Sequence, residues 1–302
     1  MKNRLLVVGG AGTLGSDLFP SLITEYELFV LDNFSSAVMG RDELSKHAKV
    51  IEIDASREDL LSKVFEEIQP TSVIFLATSM SKTEEIAYNS NVKAMHSVIK
   101  SAEKTSLPFI IYIQSFLTRN TSSPICETTE IEAKDSYAVW KLGAELLLND
   151  YRGRQCTVVL SSVISPRLNV GAIPAFASRI LKKEHIKVTN TYRDYLNPSD
   201  FSIFIKRILA SESVPNKLIV GSGAPVKTLD ILRKVSDALN VDMKDVSFEE
   251  IESKPSDPKF ITLDSTLVSH EFEISFSQEF DASIKKTVEN FIENSPVIRL
   301  HH

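Results

Sequence analysis

The chain has 302 residues, of which 43% are hydrophobic and 25% are charged, and its formal net charge is −6. This length holds one large α/β domain or two modest ones. The acidic balance argues against general nucleic-acid binding, which normally shows as a basic patch. No window approaches the roughly 20 apolar residues of a membrane span. We therefore expect no nucleic-acid partner and no membrane insertion.

Cysteine and histidine patterns give no sign of a metal site. Cys126 and Cys156 stand far apart, without metal-ligand spacing, and are too few for a disulfide framework in a chain of this size. The apolar run 5–8 ends at once in glycines, so it is not typical of a secretory signal. We predict no metal, a reducing cytoplasmic setting, and a possible tag remnant at 299–302.

In the first half, short apolar runs alternate with helical patterns, which is typical of a parallel sheet covered by helices. The runs are nearly all apolar, as expected for strands buried on both faces. The predicted strands are 5–8, 28–31, 50–53, 73–77, 109–114 and 157–160. The predicted helices lie near 13–24, 57–68, 84–104 and 135–150.

The pattern changes after Pro166. There we predict helices at 174–183, 199–211, 228–240 and 279–293, and strands at 186–189 and 217–220. The fold class is α/β: a Rossmann-type doubly wound parallel sheet with a smaller C-terminal α/β lobe for substrate. The predicted Rossmann domain is 1–165 with a return segment 195–222, and the predicted lobe is 166–194 with 223–296.

A glycine turn directly follows the first predicted strand. Gly9, Gly12 and Gly15 have the spacing Gly-x-x-Gly-x-x-Gly, and a helical pattern begins at Thr13 and Leu14. A strand, a tight glycine turn and a helix bring the backbone close to a pyrophosphate, which lies at the positive helix N-terminus. The alternative is a flexible N-terminal turn. We interpret the turn as a dinucleotide-binding site.

Acidic residues follow the second and third predicted strands. Asp32 comes about twenty residues after the glycines, where a carboxylate accepts hydrogen bonds from the adenosine ribose and repels a 2′-phosphate. This position favours NAD over NADP; the alternative for Asp32 is a helix N-cap. Asp54 and Ala55 follow the third strand at the place expected for the adenine edge, although Asp54 also suits a turn.

Tyr137 and Lys141 are four residues apart on a predicted helix and therefore share a face. A nearby ammonium favours the phenolate and lowers a tyrosine pKa from about 10. The spacing alone is a weak signal, and a surface pair is the alternative. Its place downstream of a dinucleotide site favours a proton shuttle.

Together these segments resemble the extended short-chain dehydrogenase/reductase family, in particular its nucleotide-sugar epimerase branch, close to UDP-glucose 4-epimerases. The cofactor half matches at 9–15, at 31–36, which includes Asn33, and at Leu76-Ala77. Asn91 and 137–141 come next in the family's order. Pro166-Arg167, 173–174, 193–194 and Asp200 are similar to its substrate half.

The resemblance implies roles for further residues. Ser115, directly after the fifth strand, would be the catalytic hydroxyl that binds a substrate oxygen, and Lys141 would bind the nicotinamide ribose. Asn33, Leu76, Ala77 and Asn91 would join the cofactor site. Ser162, Arg167, Ile173 and Arg193 would bind substrate, the arginines because a guanidinium presents a fork of donors to a diphosphate. Surface charge is the alternative for either arginine. The family also implies a homodimer formed by the helices at 84–104 and 135–150.

The chain departs from the family pattern in several places. Arg119-Asn120 stands where the family usually has Tyr-Gly, and Ser162 where it often has Asn. Residues 78–82 replace the family's second alanine and the segment after it, and 189–192 replace a Gly-x-Gly turn. Phe116-Leu117 comes directly after Ser115, whereas 4,6-dehydratases need acids there and decarboxylases favour a nearby Glu. The missing acids argue against dehydration and decarboxylation, whereas the other departures leave the sugar and the exact reaction open. We expect a nucleotide-sugar 4-epimerase; a 4-ketoreductase or 4-dehydrogenase and a non-catalytic NAD sensor remain alternatives.

Overall fold

The computed structural model describes residues 3–121, 124–254 and 257–294. The strands are β1 (Asn3–Val8), β2 (Tyr26–Asp32), β3 (Lys49–Glu52), β4 (Ser72–Phe75), β5 (Phe109–Ser115), β6 (Gln155–Leu160), β7 (Ser162–Val163), β8 (Ile186–Thr189), β9 (Tyr192–Arg193), β10 (Tyr195–Leu196), β11 (Lys217–Val220), β12 (Val226–Lys227) and β13 (Phe248–Ile251). The helices are α1 (Thr13–Leu22), α2 (Arg41–Leu44), α3 (Glu58–Ile68), α4 (Glu84–Tyr88), α5 (Ala94–Glu103), α6 (Ser136–Asn149), α7 (Ala172–Leu181), α8 (Pro198–Ala210), α9 (Thr228–Ala238), α10 (Thr266–Phe272) and α11 (Asp281–Asn294).

The centre of the fold is a seven-stranded sheet in the order β3-β2-β1-β4-β5-β6-β11, with every pair parallel. Alternate residues of β1 enter the two cores: Leu5 and Val7 pack on one face of the sheet, and Leu6 and Val8 on the other. Burial on both faces explains why the strand sequences are apolar throughout rather than alternating. The predicted Rossmann-type α/β fold is confirmed.

The predicted helix at 84–104 is interrupted by a π-helical turn. It consists of α4, a π-turn at Asn89–Lys93 and α5 in direct succession. Within this turn Asn91 is buried and donates from its Nδ2 to the carbonyl of Ala87 at 2.8 Å. A π-turn adds a residue to the helix and shifts its later side chains, which often happens at functional sites.

The smaller lobe has an apolar core of its own. It joins α7, α9 and α11 with β8, and β13 extends β8 as a parallel two-stranded sheet. Sequence patterns missed α2, α10, β13 and the two-residue strands, since short or half-exposed elements carry little hydrophobic periodicity. The predicted tag remnant at 299–302 lies outside the described residues.

The predicted lobe segment 223–296 does not stay in one core. Residues 266–274 return to the larger core, where Val268, Phe272 and Ile274 pack with Phe204 of α8. The rings of Phe204 and Phe272 meet edge to face with centroids 6.2 Å apart. Within segment 195–222, α8 packs on α1 and β11 extends the large sheet. The chain therefore crosses between the two regions more often than we predicted.

Candidate active site

Two glycines, one in the turn after β1 and one in the first turn of α1, are required because other backbone atoms approach them closely. Gly9 has φ +78°, and a Cβ there would lie 2.5 Å from the Ala77 backbone. A Cβ on Gly15 would lie 2.1 Å from the carbonyl oxygen of Gly10. Gly12 differs, because its φ is −78° and a Cβ would meet only the Gly9 carbonyl at 3.5 Å. The chain itself has room for a side chain at Gly12, so this space is available to a ligand.

Helix α1 points its N-terminus at this space. Its N-cap residue is Gly12, and no side chain caps the first turn. The amide groups of such a turn, together with the helix dipole, bind an anion such as a pyrophosphate. A cavity of about 510 Å³ opens here, a size typical of small-molecule sites. Every predicted cofactor residue lines it except Gly15, Asn91 and the catalytic pair on α6.

Asp32 lies in the cavity wall at the end of β2, as its predicted role requires. Its two carboxylate oxygens accept hydrogen bonds from the backbone amides of Ala11, at 2.9 Å, and Phe34, at 2.8 Å. Each oxygen has a second acceptor position that suits a ribose hydroxyl. Asp54, also in the wall, accepts from the amide of Ser56 at 2.8 Å.

Asn91 lies behind the cavity rather than in its wall. Its Oδ1 accepts from the Thr78 hydroxyl at 2.8 Å, and its Nδ2 donates to the carbonyls of Ala87 and Ser79. Thr78 in turn lines the cavity and lowers the pKa of Tyr137. Asn91 therefore holds the segment that links the cavity to the tyrosine, and Thr78 is a site residue that our sequence reasoning missed.

Tyr137 lies in the first turn of α6, where the carboxylate of Asp135 caps the helix by accepting from the Ala138 amide at 2.7 Å. Burial raises the pKa of Tyr137, the hydrogen bond with Thr78 lowers it, and Asp135 raises it. The expectation of a lowered tyrosine pKa is therefore wrong for the protein chain by itself. Burial disfavours the phenolate more than the neighbouring polar groups favour it.

Lys141 is buried on the same face of α6, one turn further along. Its Nζ donates to the carbonyl of Ile113 in β5 at 2.6 Å and lies 4.5 Å from the centre of the Tyr112 ring. Burial lowers the pKa of Lys141 to about 7, while the Glu145 carboxylate raises it. This lysine can therefore hold or release a proton near neutral pH.

Ser115 ends β5 and begins the short 3₁₀ turn Phe116–Thr118. Its Oγ accepts from the Leu117 amide at 3.2 Å, so its proton is available to a ligand. Strand β5 thus positions Ser115 and, through the Ile113 carbonyl, the amine of Lys141. The predicted catalytic residues are supported by two packed elements, β5 and α6.

The predicted substrate arginines are already paired within the protein. Arg167 forms an ion pair with Glu43 of α2 and donates to the Val38 carbonyl at 3.3 Å, beside the dinucleotide cavity. Arg193 forms an ion pair with Asp257 and donates to the Pro258 carbonyl at 2.9 Å. The two guanidiniums bind different partners in different regions, and the structure does not bring them together as one clamp.

The two remaining predicted substrate residues differ in exposure. Ser162 lies half-buried in β7, two residues after the end of β6. The side chain of Ile173 is buried in the core of the smaller lobe. A substrate would therefore meet Ile173 only through its backbone.

Neither a metal cluster nor a membrane helix appears in the described part of the chain. Within 3–121, 124–254 and 257–294 no group of His, Cys, Asp or Glu is arranged to hold a metal ion. No helix of these segments is long and apolar enough to cross a bilayer.

The parallel sheet, the glycine turn and Asp32 define a dinucleotide-binding enzyme fold. The chain belongs to the NAD dependent epimerase/dehydratase family, whose family model matches residues 5–221. NAD is the cofactor of this family, as we predicted. The open cradle at Gly12 and the uncapped turn of α1 fit its pyrophosphate, and Asp32 fits its ribose.

Comparison with individual proteins shows the same fold at low identity. The Bordetella bronchiseptica enzyme WbmG, solved with NAD and UDP, is 24% identical with a TM-score of 0.88, covering 97% of this chain and 96% of that one. The UDP-glucose 4-epimerase of Thermotoga maritima, solved with UDP-glucose, is 20% identical with a TM-score of 0.81, covering 96% and 99%. UDP-glucuronic acid decarboxylase 6 of Arabidopsis thaliana is 22% identical in an alignment 282 residues long, which covers 85% of this chain and 79% of the relative.

Proposed function

We propose that this chain is an NAD-dependent nucleotide-sugar 4-epimerase. The observation that carries the proposal is that strand β5, which ends at Ser115, also holds the Lys141 amine of α6 through the Ile113 carbonyl. Thr78 supports it, because this residue lines the dinucleotide cavity and influences the pKa of Tyr137. Relatives of the same fold include proteins solved with UDP and with UDP-glucose. A nucleoside diphosphate hexose is therefore the substrate class that we propose, with Ser162 and Arg193 as substrate-binding candidates.

Three side chains of the protein would handle the sugar oxygen and its proton. NAD⁺ supplies the hydride acceptor. Ser115 binds the C4 oxygen of the sugar through its hydroxyl, and Tyr137 takes the proton from that oxygen. The Lys141 ammonium favours the phenolate form of Tyr137 at this stage. Tyr137 later returns the proton to the same oxygen, after the keto-sugar has turned its other face to the cofactor.

The principal rival is a 4-ketoreductase or 4-dehydrogenase, which would use the same residues but release a changed cofactor. Dehydration and decarboxylation are less well supported, although relatives carry out both classes of reaction. Phe116 and Leu117 come directly after Ser115, and neither side chain can donate or accept a proton.

The test begins with release and mass spectrometry of copurified small molecules. The purified protein is then assayed with UDP-, GDP-, CDP- and dTDP-hexoses, with inversion at C4 followed by NMR. We expect tightly bound NAD and inversion of one sugar without net NADH. Stoichiometric NADH formation or consumption would support the rival, and protein with bound NAD that leaves every hexose unchanged would contradict the epimerase.

We also propose that the chain is a homodimer built on α4, α5 and α6. Large apolar side chains are exposed on α4 (Ile86 and Tyr88) and on α6 (Val139 and Leu146). The Tyr88 ring meets Trp140 edge to face at 6.1 Å, so the exposed side chains of the two helices adjoin. Exposed apolar side chains grouped on neighbouring helices are typical of an interaction site.

Sedimentation at micromolar concentration should give a dimer, and Leu146→Asp should give a monomer because the carboxylate would be buried in the interface. The matched control is Ile203→Asp on α8, where the side chain is 49% exposed against 54% for Leu146. A wild-type monomer, or equal dissociation by both variants, would argue against this interface.

A further inference from the structure

A buried polar network lies beneath the catalytic residues. Arg119 and Glu145 form an ion pair with 2.5 Å between Nη2 and Oε1, and their side chains are 0% and 3% exposed. Gln114 of β5 donates from Nε2 to the other carboxylate oxygen of Glu145 at 2.8 Å. Both oxygens of Glu145 are thus hydrogen-bonded, and the charges of the pair cancel.

The network is attached directly to the catalytic helix. Glu145 stands four residues after Lys141, which stands four after Tyr137, so the three share one face of α6. Gln114 donates to the backbone carbonyl of Lys141 at 3.0 Å, and the Tyr112 hydroxyl donates to the same carbonyl at 2.9 Å. Two side chains of β5 therefore fix the position of the Lys141 backbone relative to the sheet.

Arg119 belongs to the turn that comes after Ser115. Its Nη1 donates to the Thr118 hydroxyl at 2.8 Å, and that hydroxyl donates to the Ser115 carbonyl at 2.8 Å. The backbone of Arg119 is held by a bridge to Ile131 and by its amide, which donates to the Phe116 carbonyl at 3.0 Å. One guanidinium therefore connects the Ser115 turn with α6.

Stability alone does not account for this pair. Replacing a buried ion pair with apolar residues of similar size is often neutral or stabilising, because two charges need not be desolvated. The Nε of Arg119 has no hydrogen-bond partner among the described residues, which adds to the cost of its burial. The family that the chain resembles usually has tyrosine in place of Arg119, so the arginine is a departure of this chain.

We propose that Arg119 is a positioning residue of the catalytic site, which fastens the Ser115 turn to the helix of Tyr137 and Lys141 and offsets the charge of Glu145 beneath Lys141. The kinetic part of this inference rests on the proposed function, whereas the electrostatic part does not. The ionisable groups around the catalytic pair are Asp135 at the N-cap of α6, Glu145 on α6, Tyr112 on β5, and Arg119 itself.

The electrostatic part is tested without any sugar. Carbon-13 NMR of lysine-labelled protein gives the pKa of Lys141, with its signal assigned by loss in Lys141→Arg. Arg119→Met leaves the Glu145 carboxylate uncompensated, so the pKa of Lys141 should rise by about one unit or more. In the double variant Arg119→Met/Glu145→Met both charges are absent, so the carboxylate that raises the pKa of Lys141 is gone and the pKa should fall below that of Arg119→Met, to the wild-type value or lower. An unchanged pKa in Arg119→Met would overturn the proposal.

The positioning part is tested by kinetics of the same proteins with the best nucleotide sugar. Arg119→Met should lower kcat about 100-fold, with KM changed less than about threefold, because misplacement near the reacting atoms acts on the chemical step. The double variant should recover thermal stability but keep a kcat at least about tenfold below wild type. Arg119→Lys keeps the charge but not the forked donors of the guanidinium, so its kcat should lie between those of Arg119→Met and the double variant.

The control is Arg152→Met, which removes an exposed arginine paired with Glu103 and should leave kcat and the Lys141 titration unchanged. A double variant with wild-type kcat would mean that the pair only supports folding, and would overturn the proposal. If Arg119→Met does not fold, the double variant and Arg119→Lys still decide the kinetic part. A wild type inactive on all sugars would refute the epimerase, and the Lys141 titration would still decide the role of Arg119.

Discussion

The dinucleotide cavity and the smaller lobe differ in how many polar groups are left for a ligand. In the cavity, the first turn of α1 lacks a side-chain cap and Gly12 faces open space. In the smaller lobe, the guanidinium of Arg193 is already bound by Asp257 and Pro258. A preformed site needs no rearrangement on binding, whereas Arg193 must exchange partners to hold a diphosphate. The comparison predicts a rigid cofactor site and an adjustable substrate site.

The largest effect is expected at Tyr137 in the first turn of α6. Tyr137→Phe removes the proton-transfer group, so kcat should fall by about 10²–10⁴ while bound NAD is retained. Steady-state kinetics and the NAD content of the purified protein measure both. Unchanged biological activity of the variant with NAD still bound would instead support a non-catalytic NAD sensor.

The cofactor side of the comparison is tested at Gly12. Gly12→Val should fold normally, since a Cβ there meets only the Gly9 carbonyl at 3.5 Å. Its side chain would fill the pyrophosphate cradle, so NAD affinity should fall about 100-fold, or about 2.7 kcal/mol. Titration calorimetry and thermal unfolding measure the two effects. The matched variant is Gly15→Val. It should lose NAD affinity and, unlike Gly12→Val, should also unfold, because its Cβ would lie 2.1 Å from the Gly10 carbonyl oxygen.

The substrate side is tested by separating Arg193 from its partner. If Arg193 binds the diphosphate, Arg193→Met should raise KM about tenfold with little change in kcat, because uniform binding is lost. Asp257→Asn weakens the competing ion pair, so KM should fall or stay the same. If both variants lose thermal stability and KM is unchanged, Arg193 only stabilises the fold of the lobe and does not bind the substrate.

The smallest effect concerns Asp17 of α1, whose carboxylate accepts a hydrogen bond from the Ser165 hydroxyl at 3.0 Å. Burial raises the pKa of Asp17 to about 7, while Ser165 and Arg167 lower it. Between about pH 4 and pH 7 the folded state therefore keeps a proton that the unfolded state loses. Stability from this group is full below about pH 4 and is lost as the pH rises through 7.

Asp17→Asn imitates the protonated form at every pH. We expect it to stabilise the protein by about 1–2 kcal/mol at pH 8, after allowance for partial exposure, and by much less at pH 5. Urea unfolding at the two pH values measures the difference. Equal effects at both would show that Asp17 is not titrating in this range.

The sequence was most informative where one physical requirement dominates. Strands buried on both faces must be apolar, so β1 and β5 were predicted to within two residues, and the turn at Gly9 and Gly15 admits only glycine. Arg119 was visible as a departure from the family. Its partner Glu145 was not visible, because the contact joins residues 26 apart through a fold that local patterns do not describe.

The substrate half was predicted less well because its contacts depend on tertiary competition. Arg167 and Arg193 have the right chemistry for phosphate, yet the sequence does not reveal that Glu43 and Asp257 bind them first. The predicted direction of the Tyr137 pKa shift was wrong for the same reason, since burial is a property of the assembled fold.

The return of residues 266–274 to the large core affects how the protein is made. Once the chain has emerged from the ribosome through Val220, every strand of the seven-stranded sheet is available for folding. The apolar surface that Val268, Phe272 and Ile274 cover is still open at that moment, because these residues emerge about fifty positions later. The cofactor-binding half therefore completes its folding only after most of the smaller lobe has been synthesised, and a fragment ending at Val220 would expose that surface and tend to aggregate.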